Sequence, residues 1–381
     1  MQSILVIRSL NFSGFAWSEL APLFKEVTVR ILRSLYKGAL LSFVAGLVGS
    51  ALILAQTQTQ PSQGSESAQQ QEQDVVYTAD EYAAYQKATE EPDPAKREDA
   101  IIAFVKANPK SSLVQYAIGG YLQLLQDYAN KGEWAKVASA GEKLLSVKPD
   151  DASVMYQTGV AFFKTQQFAK AAEYLEKVYV KQPEPSIAFM LAVAFGNPPI
   201  NEQKVVQYGE IACAKFEPKD CYVILTQMTR AYSEKKQWDK AAEYATKSLA
   251  AFGAITRPET ASEAEWTEYI NREEALAHAV LGRYAFEQEK WQAVLDNYSK
   301  AIQQYDKLPA LNAEAYYYIG LTHWKLEKLV PAMKAFARGS VQKDAPLAPE
   351  NLKQLTTLYK SQHNDSTAGM DEYIQEATQI P

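Results

Sequence analysis

Residues 152–185 read ASVMYQTGVAFFKTQQFAKAAEYLEKVYVKQPEP. Gly159 is followed by Ala171 at twelve residues, then by Leu175, Val178 and Pro183 at further steps of four, three and five. That spacing predicts two antiparallel helices. Small side chains at Gly159 and Ala171 let the pair approach closely, and the larger residues between them fill the grooves. Pro183 stops the second helix, because it has no N–H to continue the ladder.

The register carries along the chain. The Gly159 position recurs at Tyr85, Leu125, Val193, Thr229, Gly282 and Gly320, with steps of 40, 34, 34, 36, 53 and 38 residues. The Ala171 position recurs at Val137, Val205, Ala241, Val294 and Ala332. Three residues ahead of most of these stands a large apolar residue, Trp134, Phe168, Trp238, Trp291 or Leu329, which opens the second helix and packs back on the first. Asn130-Lys131-Gly132-Glu133 has the chemistry of the turn between them.

In this spacing the chain resembles the tetratricopeptide-repeat family, whose unit is a helix pair of about 34 residues. The resemblance covers about 290 of the 381 residues. It implies an all-α fold, a right-handed α-solenoid of antiparallel helix pairs forming a tetratricopeptide-repeat superhelix, preceded by an N-terminal signal or anchor helix. The array is expected over residues 75–347 as six to seven helix pairs, with an insertion at 252–271 and capping helices at 348–381. Glu91-Pro92-Asp93-Pro94 interrupts the first unit, and Thr78 with Glu81 forms a capping-box signature at its start. Asn197-Pro198-Pro199 trims the unit around Val193. In the insertion, Thr256-Arg257-Pro258-Glu259 reads as a loop, and Ser262 to Asn271 lengthens the next helix. Residues Pro349 to Gln379 read as closing helices with a polar outer face, which a terminal repeat needs to stay soluble.

Ahead of the array, Arg30, Arg33 and Lys37 precede an uncharged run from Gly38 to Leu54. That order is that of an export signal, cleaved after Ala55, or of an uncleaved anchor. Residues 30–55 are therefore expected as signal peptide or membrane tether. Residues 1–29 would be a doubtful extension of the reading frame. Residues 56–74, rich in Gln, Ser and Thr, have almost nothing to bury and read as a disordered linker. Taken with its interruptions, the chain resembles exported bacterial repeat proteins, which implies a periplasmic or envelope-anchored location in a Gram-negative bacterium.

The chain is 47% hydrophobic and carries a net charge of −6. Residues 1–55 hold five basic and two acidic side chains, +3, so the remainder is −9. An acidic body is repelled by phosphate backbones, so no nucleic acid is expected as partner. The three histidines, His278, His323 and His363, share no i,i+4 spacing, and no H-E-x-x-H, P-loop, G-x-S-x-G or dinucleotide fingerprint occurs. No catalytic, metal or cofactor site is expected, and the chain reads as a non-enzyme. Cys213 and Cys221 flank a short connection and read either as a disulfide, if exported, or as two separately buried small residues.

In the family that the chain resembles, the first helices of successive pairs line a concave groove. Positions three before and one, four and five after the Gly159 register give Leu122, Gln126, Tyr156, Phe163, Lys164, Met190, Arg230, Arg283, Phe286, Tyr317, Trp324 and Lys325. Of these, Tyr156, Phe163, Lys164, Arg230, Arg283, Phe286, Tyr317, Trp324 and Lys325 are the expected partner contacts. Aromatics interleaved with cations suit a protein or peptide segment carrying apolar and some acidic side chains. The family's clamp for a C-terminal carboxylate needs Asn beside Lys and Arg. The position after the Gly159 register reads Gln126, Val160, Ala194, Arg230, Arg283 and Leu321, so that ligand is not expected. The expected function is a protein–protein interaction scaffold in the envelope. The alternative is a membrane-anchored assembly or secretion accessory factor.

Overall fold

The computed structural model describes residues 77–258 and 261–379, and the regular structure among them is helical throughout. The described residues divide between Pro199 and Ile200 into two compact units. The first holds α1 (Ala79–Thr89), α2 (Pro94–Ala107), α3 (Leu113–Asn130), α4 (Trp134–Leu145), α5 (Ala152–Lys164), α6 (Phe168–Lys181) and α7 (Pro185–Phe195). The second holds α8 (Glu202–Cys213), α9 (Pro218–Glu234), α10 (Trp238–Phe252), α11 (Glu263–Glu287), α12 (Trp291–Gln304), α13 (Pro309–Lys325), α14 (Leu329–Ser340), α15 (Ala348–Gln362) and α16 (Met370–Gln379). The expected array is thus parted at Asn197-Pro198-Pro199, inside the unit around Val193.

Local sequence sets the helix starts. Thr78 and Ser262 each make a full capping box, with Glu81 and Glu265 reaching back to the cap N–H. Asp93, Asp151 and Asn201 cap α2, α5 and α8 through their side chains. Pro94, Pro185, Pro218 and Pro309 stand in the first turn, where a missing N–H costs nothing. Trp134, Phe168, Trp238, Trp291 and Leu329 are each the first residue of their helix, as the register expects.

The turn inside a pair is one device used five times. Glu133, Gln167, Gln237, Lys290 and Lys328 donate their N–H to Tyr128, Phe162, Tyr232, Ala285 and His323, closing the six-to-one bond of a Schellman turn. The residue before each donor is left-handed: Gly132, Gln166, Lys236, Glu289 and Glu327. Only the first is glycine. The other four carry a Cβ against the preference for φ below zero, a strain of about 1–2 kcal/mol each.

Packing follows the small-against-large rule. A Cβ on Gly159 would come within 2.9 Å of Leu175 Cγ, and one on Gly282 within 2.7 Å of Tyr298 Cδ2. First helices of neighbouring pairs touch in series: α1, α3 and α5 in the first unit, and α9, α11, α13 and α15 in the second. That leaves the first helices side by side, as the repeat resemblance implies. Rings stack between the helices of a pair, Phe162 on Tyr174 at 5.8 Å and Tyr232 on Tyr244 at 5.4 Å. Each fully buried ring or aliphatic side chain contributes about 1.5–3 kcal/mol from area removed from water.

The second unit ends on a cap. Asn351 of α15 is fully buried and donates to the Ala313 carbonyl at 2.9 Å, which ties α15 to α13. Gly339 on α14 leaves room for that amide. Arg338 donates to the Ala377 carbonyl of α16 at 2.9 Å. Only Ala377 of α16 is buried.

Glu263 to Asn271 form the first part of α11, a helix of 25 residues capped by Ser262. Residues 1–76, which include the expected signal or anchor at 30–55 and the linker at 56–74, lie outside the described residues, as do residues 259–260. Among the described residues no helix is long and apolar enough to cross a membrane. Cys213 ends α8 and Cys221 lies in the first turn of α9; both are free thiols, Cys221 buried and Cys213 half-buried, and the neighbouring Cys213 raises the Cys221 thiol. The open alternative at this pair therefore takes a third form, two adjoining thiols.

Candidate functional site

The first-helix face of each unit carries the residues that the register singles out. In the first unit, α5 supplies Tyr156, Phe163 and Lys164. Phe163 is 2% exposed and meets Phe168 edge-on at 5.6 Å, so it fills the core and presents no surface. Met190 on α7 is fully buried as well. These two are corrections to the expected groove: Phe163, four after Gly159, packs on the opening residue of α6, and Met190, three before Val193, lies on the helix α7 whose residues 187–194 are all buried. Tyr156 is half-buried, and the Lys164 ammonium lies 5.5 Å from the centre of the Trp134 ring. Leu122 and Gln126 on α3 are half-buried, and Gln126 donates to Asn130 Oδ1 at 2.9 Å.

In the second unit both expected arginines are engaged inside the fold. Arg230 on α9 donates through Nη2 to the two oxygens of Glu273 at 2.7 and 2.6 Å. Glu273, on α11, has a side chain only 3% exposed, and Arg272 reaches it at 3.1 Å. A polar group this deep is costly unless it is hydrogen-bonded, and two guanidinium groups answer it. Arg283 on α11 donates from Nε and Nη2 to Glu287 Oε1 at 2.9 and 2.7 Å. Its guanidinium also lies over Trp238 at 5.0 Å and over Tyr318 at 4.5 Å. Arg230 and Arg283 thus build the face; they do not offer it two unspent positive charges.

The aromatics are placed differently. Phe286 is half-buried, edge-on to Trp291 at 5.6 Å and to Tyr318 at 4.9 Å. Tyr317 is half-buried beside Phe336, and burial, with Glu350 nearby, pushes its hydroxyl above the usual tyrosine range. Trp324, at the end of α13, is 36% exposed, with Lys325 exposed beside it.

Carboxylates that the register reading passed over share this face. Glu234 and Glu287 stand five after Thr229 and Gly282, the same position that gives Lys164 and Lys325. Glu314 of α13 accepts from the Tyr298 hydroxyl at 3.0 Å. Burial raises its carboxyl above the ordinary glutamate range; the Tyr298 hydrogen bond and Arg283 pull it down, and Glu234 pushes it further up. Burial and Glu202 raise Glu234 in the same direction. Even application of the register would have found Glu234 and Glu287. The sequence carries no comparable sign for Glu273, which meets Arg230 from 43 residues away.

His278 and His323 are half-buried on repeat helices, and His363 is exposed just past the end of α15. His278 Nδ1 is 3.1 Å from Asn297 Oδ1, burial and Lys328 lower His323, and His363 stacks on Tyr359 at 3.9 Å. Among the described residues no group of His, Cys, Asp and Glu could hold a metal ion. The insertion forms one side of an open recess of about 620 Å³, where Thr267 and Glu268 face Tyr305 and Lys307. Tyr305 donates to Glu268 at 2.9 Å, and Lys307 lies 3.6 Å from the same carboxylate.

No family model and no curated protein matches the chain. Solved structures with similar folds include a tetratricopeptide-repeat protein from Parabacteroides merdae, 11% identical over 72% of this chain and 98% of that one, with a TM-score of 0.31. YrrB, described as a TPR protein with an unusual peptide-binding site, is 13% identical over 67% of this chain and 99% of its own, at 0.26. Pseudomonas aeruginosa pilF is 13% identical over 62% and 96%, at 0.37. The repeat assignment stands on the turns, the glycine contacts and the first-helix series within this chain.

Proposed function

We propose that this chain, a tetratricopeptide-repeat protein by its turns and helix pairing, is a non-catalytic scaffold that holds a protein or peptide segment on the first-helix face. The observation that carries the reading is the aromatic side chains along α13: Trp324 stays 36% exposed at its end, seven residues on from the half-buried Tyr317 on the same helix face. Rigid aromatic side chains on preformed helices lose little entropy on docking, and they are the residue types that carry most binding energy when a partner covers them. Phe286 extends this face within the second unit, and Tyr156 and Lys164 hold equivalent register positions on the first unit's own face.

Location belongs to the proposal too, and it rests on sequence. The basic segment and uncharged run of residues 30–55 would export the chain to the periplasm or hold it on the envelope membrane. Retention of that segment on the mature chain would favour the anchored assembly-factor reading; its removal favours a scaffold in the periplasm.

The test compares partner capture by the full chain and by a Tyr317→Ala/Trp324→Ala variant of equal helicity. Proteins held by the parent and lost by the variant support the reading. Equal capture by both removes the first-helix face of the second unit as the working surface.

A further inference from the structure

We infer that the first-helix face of the second unit selects a partner segment carrying lysine or arginine between apolar side chains. The inference rests on the reading of that face as a docking surface, and it reverses the acidic partner that the count of groove cations suggests.

Charge placement makes the case. Arg230 is committed to Glu273 and Arg283 to Glu287, so the two guanidinium groups of the face are answered from within. Glu234 pairs with no cation among the described residues, and Glu314 forms no salt bridge there: it accepts from the Tyr298 hydroxyl, and Arg283, which acts on it from a distance, is bound to Glu287. Burial raises both carboxyls, and a neighbouring carboxylate raises each further, Glu202 for Glu234 and Glu234 for Glu314. An acidic segment would add like charge here, whereas an incoming ammonium or guanidinium would supply the missing partner. Lys325 lies beside Trp324 at the end of α13, eleven residues on from Glu314.

Gln227 adds an independent observation. It is 7% exposed, and neither its Oε1 nor its Nε2 has a partner among the described residues. A buried amide left in that state is costly. It lies three residues before Arg230 and seven before Glu234, on one stripe of α9. Its oxygen can accept from a cation and its nitrogen can donate to a peptide carbonyl, the two contacts that an extended basic segment brings. Trp324 and Tyr317 supply ring faces for the apolar side chains and for the cation itself.

The experiment exposes the full chain to a positional-scanning peptide library and reads enrichment at each position. The inference expects lysine or arginine over aspartate or glutamate by about tenfold at one or more positions, the worth of a single charge-assisted contact. A Glu234→Gln/Glu314→Gln variant, checked for unchanged helicity, should bring that ratio near parity while Trp324-dependent capture persists. Acidic enrichment, or none, with binding still lost in Tyr317→Ala/Trp324→Ala, overturns the charge inference and leaves the docking face standing. Binding indifferent to Tyr317 and Trp324 overturns both.

Discussion

Gly320 sits against the ring of Phe336 so closely that a Cβ in its place would come within 2.5 Å of Cε1. Gly282 stands in the same relation to Tyr298, and Gly159 to Leu175, each sixteen residues on. The first helix approaches the second only because one side chain is missing. Gly320→Ala should therefore cost about 1–3 kcal/mol, the usual penalty of overpacking. Adding Phe336→Leu should return part of the loss, since the two positions share one contact. Urea unfolding of the single and double variants measures both numbers.

The left-handed residue of each Schellman turn gives the opposite expectation. Gln166, Lys236, Glu289 and Glu327 hold positive φ with a side chain present. Replacing any of them with glycine should stabilise the protein by about 0.5–1 kcal/mol, the strain removed less the added freedom of the unfolded chain. The four gains should be nearly additive, because the turns are far apart in sequence and share no partners. Gly132→Ala should do the reverse. Thermal unfolding of the single and combined variants reads the effect.

These elements also show where the sequence was readable. Trp134, Phe168, Trp238, Trp291 and Leu329 each open a helix because a residue three before the small position must fold back on the preceding helix; spacing alone finds them. The capping boxes at Thr78 and Ser262 are local in the same way. Charge pairing was partly readable: Arg283 and Glu287 are four apart on one helix, a pair that helix geometry brings together. Arg230 and Glu273 meet across two helices, so nothing in the order of residues announces that the arginine is spent. That is why Arg230 reads as a partner contact in the sequence; Arg283 does so only because the register weighs its position and not its neighbour four residues on.

Removing Glu273 tests that pairing. Glu273→Ala leaves Arg230 and Arg272 without their shared carboxylate in a largely buried setting, and should cost about 3–5 kcal/mol. Arg230→Met on that background should recover a substantial part of it. Denaturant midpoints of the two variants decide whether the arginine's chief role is in the fold.

Glu314 makes stability depend on pH in a defined direction. Its folded carboxyl is raised above the ordinary value of about 4.3, so the folded state binds the proton more tightly than the unfolded one. Its contribution to stability is full below the ordinary value and is lost as pH rises through the raised one. Relative to Glu314→Gln, the parent should gain stability as pH falls from neutrality into that window. Paired thermal scans across the range would show a constant difference if the carboxyl were not raised.

The most direct measurement of the central claim places a photoreactive amino acid at position 324, on the first-helix face, or at Val180, which is 83% exposed on the second helix α6. Irradiation in cells and analysis of the adducts follow. The account predicts a discrete partner adduct from position 324 and none from position 180. An adduct from position 180 alone, or equal adducts from both, would contradict it.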